Sequence, residues 1–72
     1  MSIDLRFRPE FESDVQEAAQ WYEARARGLG ERFSQEVRAA LHQVAEQPEA
    51  WTQIAPGVRR AKLRIFPYVL IF

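Results

Sequence analysis

Seventy-two residues make one small domain and leave no room for a cofactor-binding domain beside a substrate domain. With no cysteine and one histidine, neither a disulfide framework nor a cysteine-based zinc site can staple so small a core, and a partner chain is the remaining common source of added stability. The net charge of zero hides a split: residues 1–50 hold all ten acids and six arginines, a net of −4, whereas Arg59, Arg60, Lys62 and Arg64 give residues 51–72 a net of +4, which suits a local anionic partner.

A composition 47% hydrophobic and 28% charged is that of a folded globular chain and excludes intrinsic disorder. The longest apolar run, Tyr68 to Phe72, is far too short to span a membrane, and no basic-then-apolar leader opens the chain. A cytoplasmic protein without a membrane partner is the expectation.

Ile3, Leu5 and Phe7 alternate with Asp4, Arg6 and Arg8, which predicts a half-buried strand with the apolar three facing inward. Pro9 then suits a helix start, and Glu10, Glu12 and Asp14 place negative charge in the first turns. Phe11, Val15, Ala18 and Tyr22 share one face of a helix expected over residues 9–27. Gly28 is expected to end that helix from its C′ position, with Leu29 tucked under the turn. From Gly30 a second stripe runs through Phe33, Val37, Ala40, Leu41 and Val44, and Pro48 stops it near Gln47. So short a connection makes the two helices an antiparallel hairpin, with Trp21, Tyr22 and Phe33 packing at its open end. Trp51 is expected to cover the base of the second helix.

Residues 58–66 read as a strand with Ala61, Leu63 and Ile65 toward the core and Arg60, Lys62 and Arg64 on the opposite face. Phe66-Pro67-Tyr68 is a turn, and a last apolar strand begins at Tyr68. The order β-α-α-β-β describes an α+β layer, a helical hairpin on one face of a small, mostly antiparallel sheet. The last strand is expected at a sheet edge, where an apolar strand needs a partner. A C-terminally incomplete single domain, or self-association through that open edge, would account for it.

His42 lies off the apolar stripe and reads as a solvated helix residue, and the Glu10/Asp14 and Asp14/Glu17 pairs read as charge at a helix start. Gly28-Leu29-Gly30 follows a helix rather than a strand and is no phosphate loop. The basic strand stands out. Alternating cations about 6.6 Å apart match the phosphate spacing of an extended single strand, and Phe66 and Tyr68 lie close by for stacking.

Trp21-Tyr22-Glu23, Gly28-Leu29-Gly30-Glu31-Arg32-Phe33, Pro48, Arg59-Arg60 and Arg64-Ile65-Phe66-Pro67-Tyr68 closely resemble, in that order, the RelE/ParE superfamily, toxins of bacterial type II toxin–antitoxin modules. The resemblance spans nearly the whole chain. It implies a helical hairpin on an antiparallel sheet, growth inhibition, a role in plasmid stabilisation and neutralisation by a cognate antitoxin. RelE-like members cleave mRNA on the ribosome without metal or cofactor, holding phosphate with basic groups while a tyrosine or another acid–base group assists the 2′-hydroxyl attack. By that likeness Arg60, Lys62 and Arg64 are the candidate catalytic residues, and Arg59, Arg60, Lys62, Arg64 and Tyr68 the candidate antitoxin contacts. ParE-like members inhibit DNA gyrase instead. Ribosome-dependent RNA cleavage is the first expectation, gyrase inhibition the alternative, and a shortened, inactive antitoxin-binding module the third.

Overall fold

The computed structural model describes residues 3–72. Strand β1 (Ile3–Arg6) leads into helix α1 (Phe11–Arg25) and helix α2 (Leu29–Glu46). A 3₁₀ turn at Pro48–Ala50 follows, then strands β2 (Thr52–Ala55), β3 (Val58–Lys62) and β4 (Tyr68–Ile71). The sheet order is β1-β4-β3-β2, with β1 parallel to β4 and the other neighbours antiparallel. The expected α+β hairpin-on-sheet arrangement is present, with one strand more than its periodicity revealed.

The extra strand is β2. All four of its residues are exposed, so no apolar alternation announced it. Its partner is supplied by the Pro56-Gly57 turn, where Gly57 takes a φ of 73° that an L side chain resists.

Both helical stripes face the sheet. Phe33, Val37 and Val44 of α2 and Ala18 of α1 are buried with Leu5, Ala61, Leu63, Phe66 and Leu70, while Phe11, Val15, Tyr22, Ala40 and Leu41 pack around them. Phe33 and Leu70 are completely inaccessible to solvent and mark the centre.

Four expectations are corrected. The last strand is central rather than at an edge: β1 pairs parallel along one side of β4 and β3 antiparallel along the other. Burial on both faces explains its unbroken apolar run, with Val69, Leu70 and Ile71 all buried. Of the three inward-facing residues expected in β1, only Leu5 is covered. Ile3 and Phe7 stay half exposed because β1 is the outer strand, although Phe7 meets Phe11 edge-to-face at 5.0 Å between ring centroids and lies tilted against Phe72 at 6.0 Å.

The third correction is at Gly28. Helix α1 ends in an extended residue, Ala26, and Gly28, at φ 86°, is the N-cap of α2. Glu23 holds this connection: its carboxylate accepts the backbone N–H of Gly28 at 2.9 Å and of Gly30 at 3.0 Å. One side chain thus satisfies two donors at the start of the next helix. Fourth, β3 stops at Lys62. Phe66, not Ile65, turns inward to pack edge-to-face between Tyr22 (4.8 Å) and Phe33 (5.1 Å), and Ile65 is left 57% exposed. A phenyl ring buries more apolar area than a butyl group, and the Ile65 N–H is satisfied by the Glu36 carboxylate at 2.8 Å.

Candidate functional site

The helices cover one face of the sheet. On the other, Val69 and Ile71 are only 5% and 7% exposed although neither belongs to the core cluster beneath the helices. The register explains their burial. Arg60 and Arg6 flank Ile71 from opposite sides, and Lys62 and Asp4 flank Val69. Arg6, Arg60 and Lys62 are long exposed side chains of the kind that covers apolar surface with its stem while the charged head stays in water. Asp4 and Arg6 form an exposed ion pair at 3.2 Å. The outer face therefore presents three cations and one carboxylate around an apolar seam.

Two of the four basic residues singled out in the sequence, Arg60 and Lys62, lie on that face. Arg64 does not continue the row, because the strand ends at Lys62 and the chain bends toward α2. With Lys62 and Arg32 it lines a cleft of about 310 Å³ between the end of β3 and α2, against Glu36 and Trp51. Arg59 lies on the helix side and is half-buried. Its Nη1 donates to the Trp51 carbonyl at 2.7 Å and, more weakly, to the Glu49 carbonyl at 3.4 Å, so its guanidinium ties down the 3₁₀ turn.

Tyr68 also lies on the helix side, since Tyr68 and Leu70 alternate with Val69 and Ile71 along β4. Its ring stands 4.9 Å from Phe33 and 6.2 Å from Tyr22. Burial pushes the Tyr22 phenol above its ordinary value, and the nearby Tyr68 phenol adds to the shift. Trp21 leans edge-on against Tyr22 at 5.1 Å and carries the Arg25 guanidinium 3.4 Å above its ring. The tyrosine and phenylalanine motif residues thus meet in one aromatic cluster that clamps the turn end of the hairpin to the sheet, not the open end expected from the sequence, because Tyr22 and Phe33 flank the short connection between the helices.

His42 is exposed on α2 and reaches the Glu46 carboxylate at 2.8 Å, one helical turn on. Among the described residues no three His, Cys, Asp or Glu side chains gather in a metal-binding arrangement, and no helix is long and apolar enough to cross a membrane.

These features fit a known type of chain. The family model for the ParE toxin of the type II toxin–antitoxin system, parDE, matches residues 5–72. The chain belongs to that family. No curated protein and no solved structure matches it. As a toxin of this family it has a cognate antitoxin as partner.

Sequence reasoning missed three contributors to this toxin's surface and hairpin. Arg6 joins the basic face through the parallel β1–β4 pairing, which leaves no local signal. Glu36 fixes the bend after β3 from another element. Glu23 was present in the Tyr-Glu…Gly-Leu-Gly string, and its spacing to the two glycines was the readable sign of a cap.

Proposed function

We propose that this toxin arrests growth by binding and inhibiting DNA gyrase in the cytoplasm, and that its antitoxin neutralises it by covering the outer face of the sheet. One observation carries this reading. Both tyrosines of the chain lie in the aromatic cluster on the helix side, whereas Arg60 and Lys62 project from the opposite face. Cleavage through a 2′-hydroxyl needs a proton-moving group within about 3 Å of the reacting oxygen. Neither phenol reaches a phosphate held by Arg60 and Lys62 through the thickness of the sheet, and the one carboxylate on that face, Asp4, is engaged by Arg6 at 3.2 Å. The outer face is suited to binding, since arginine and lysine grip phosphate or carboxylate without moving a proton at neutral pH. The match to the ParE toxin family supports the same reading.

Ribosome-dependent mRNA cleavage keeps one supporting observation, the two alternating cations at the spacing of phosphates. The two activities separate in one experiment. With the purified chain and relaxed plasmid, gyrase should lose supercoiling activity and DNA breaks should appear, while primer extension on mRNA from expressing cells shows no new ends. Normal supercoiling at saturating protein rejects the proposal, and cleavage within codons establishes the ribosomal reading. Growth arrest by this 72-residue form excludes an inactive antitoxin-binding module.

A further inference from the structure

The β1 edge of the sheet is chemically matched to itself. In the parallel ladder Ile3 donates its backbone N–H to Pro67 at 2.8 Å and Phe7 donates to Ile71 at 3.2 Å. The backbone groups of Ile3, Leu5 and Phe7 therefore point toward β4. Those of Asp4 and Arg6 point away from the sheet, where no further strand lies among the described residues. Through the sheet the side chains alternate, with Asp4 and Arg6 on the outer face and Ile3 and Phe7 on the helix face, 50% and 49% exposed.

We propose that two copies of this chain pair through β1, antiparallel across a two-fold axis at Leu5, so that two four-stranded sheets become one continuous sheet. Three registers within reach bring outward-pointing backbone against outward-pointing backbone. One opposes the two Asp4 side chains and one the two Arg6 side chains, and like charges directly opposite each other are destabilising. The third centres on Leu5 and sets Asp4 of each copy opposite Arg6 of the other. The same register places Ile3 opposite Phe7 of the second copy, so half-exposed apolar side chains cover one another on the helix face. They meet beside a cleft of about 570 Å³ lined by Ile3, Trp21, Tyr22 and Tyr68. Helix α1, which packs beside β1, carries Glu12 and Asp14 in its first turn and Arg25 in its last. The two-fold axis lays the two copies of α1 antiparallel, with unlike ends adjacent.

The pairing exchanges the exposed Asp4–Arg6 pair within each chain for two pairs between chains, at little cost because exposed pairs are weak. A strand of four residues makes a small interface, so association belongs in the micromolar range or weaker. This inference concerns the free toxin and stands whether or not gyrase is the target.

Sedimentation velocity over a dilution series reaching roughly 1 mM tests it, with circular dichroism to show that each variant is folded. The unmodified chain should dimerise. Asp4→Arg alone and Arg6→Asp alone should each weaken the dimer by about 10-fold or more, and the double exchange Asp4→Arg with Arg6→Asp should restore it. Oxidative cross-linking reads the register, since the natural chain has no cysteine. In a hydrogen-bonded antiparallel pair the two Cα atoms lie about 5.5 Å apart, within disulfide reach. An Asp4→Cys chain mixed with an Arg6→Cys chain should give the mixed disulfide dimer in preference to either symmetric one. A monomer at every concentration overturns the proposal and leaves the edge to a foreign strand. Failure of the double exchange to restore the dimer, or equal cross-linking of Asp4→Cys with itself, also overturns it.

Discussion

Gly30→Ala separates local propensity from tertiary packing, because the two predict opposite signs. Gly30 lies in the first turn of α2, and alanine there should gain about 0.8–1 kcal/mol of helix propensity. The added methyl has no space. It would collide with the Ala19 carbonyl oxygen of α1 and stand 3.0 Å from Cβ and 3.1 Å from Oε1 of Glu23. The nearest obstacle is backbone, so relief requires α1 and α2 to move apart. Overpacking of that kind costs about 1–3 kcal/mol. Separation also stretches the bonds from Glu23 to the Gly28 and Gly30 N–H groups, and losing a cap costs about 0.5–2 kcal/mol more. After the propensity gain, a net loss between about 0.5 and 4 kcal/mol remains. In a domain this small each kcal/mol moves Tm by about 4–8 °C. Thermal and urea unfolding followed by circular dichroism should therefore show a clear drop in Tm. An unchanged or raised Tm would refute the close helix contact and the capping role of Glu23 together.

Phe33→Ala removes the ring at the centre of the aromatic cluster, so a loss of about 3–5 kcal/mol is expected, close to the whole stability of such a domain, and far-UV circular dichroism at 25 °C should show a largely unfolded chain. The adjacent arginines should differ in kind. Arg59→Ala breaks the guanidinium bond to the Trp51 carbonyl and should cost about 1–2 kcal/mol with a red shift in tryptophan fluorescence. Arg60→Ala with Arg64→Ala should cost about 1 kcal/mol or less while weakening antitoxin and gyrase binding in a pull-down or calorimetric titration. At alkaline pH the raised Tyr22 phenol makes the folded chain hold its proton longer than the unfolded one, whose phenol titrates near 10.0. That stabilisation is complete below pH 10 and is lost as pH rises through the folded value, so the urea midpoint should fall above about pH 10, less steeply in Tyr22→Phe.

Much of the fold was legible in single residues and short windows. The stripe Phe33, Val37, Ala40, Leu41 and Val44 named the buried face of α2 because a helix repeats its neighbours within four residues. Pro48 marked its end, and the two flanking glycines marked a tight hairpin. The motif strings carried the family, and Arg60 and Lys62 fell on one face because a strand alternates strictly. Legibility failed where neighbours in space are distant in the chain. Arg64 and Ile65 were misplaced because burying Phe66 between Tyr22 and Phe33, with Glu36 taking the Ile65 N–H, outweighs continuing the strand. Strand β2 was missed because an exposed edge strand has no apolar face to display.

Residue periodicity and turn chemistry therefore determined the helical hairpin, the core stripe and the basic segment, since each depends on contacts within one turn or one strand. Assembly alone decided that β4 lies at the centre, that Arg6 joins Arg60 and Lys62, and that adjacent Arg59 and Arg60 do different work. The reason is that β1 and β4 lie at opposite ends of the chain and meet only in the assembled sheet. No local pattern encodes which side of a strand will find a partner, and on that pairing the free edge and the place of Arg6 in the basic face depend.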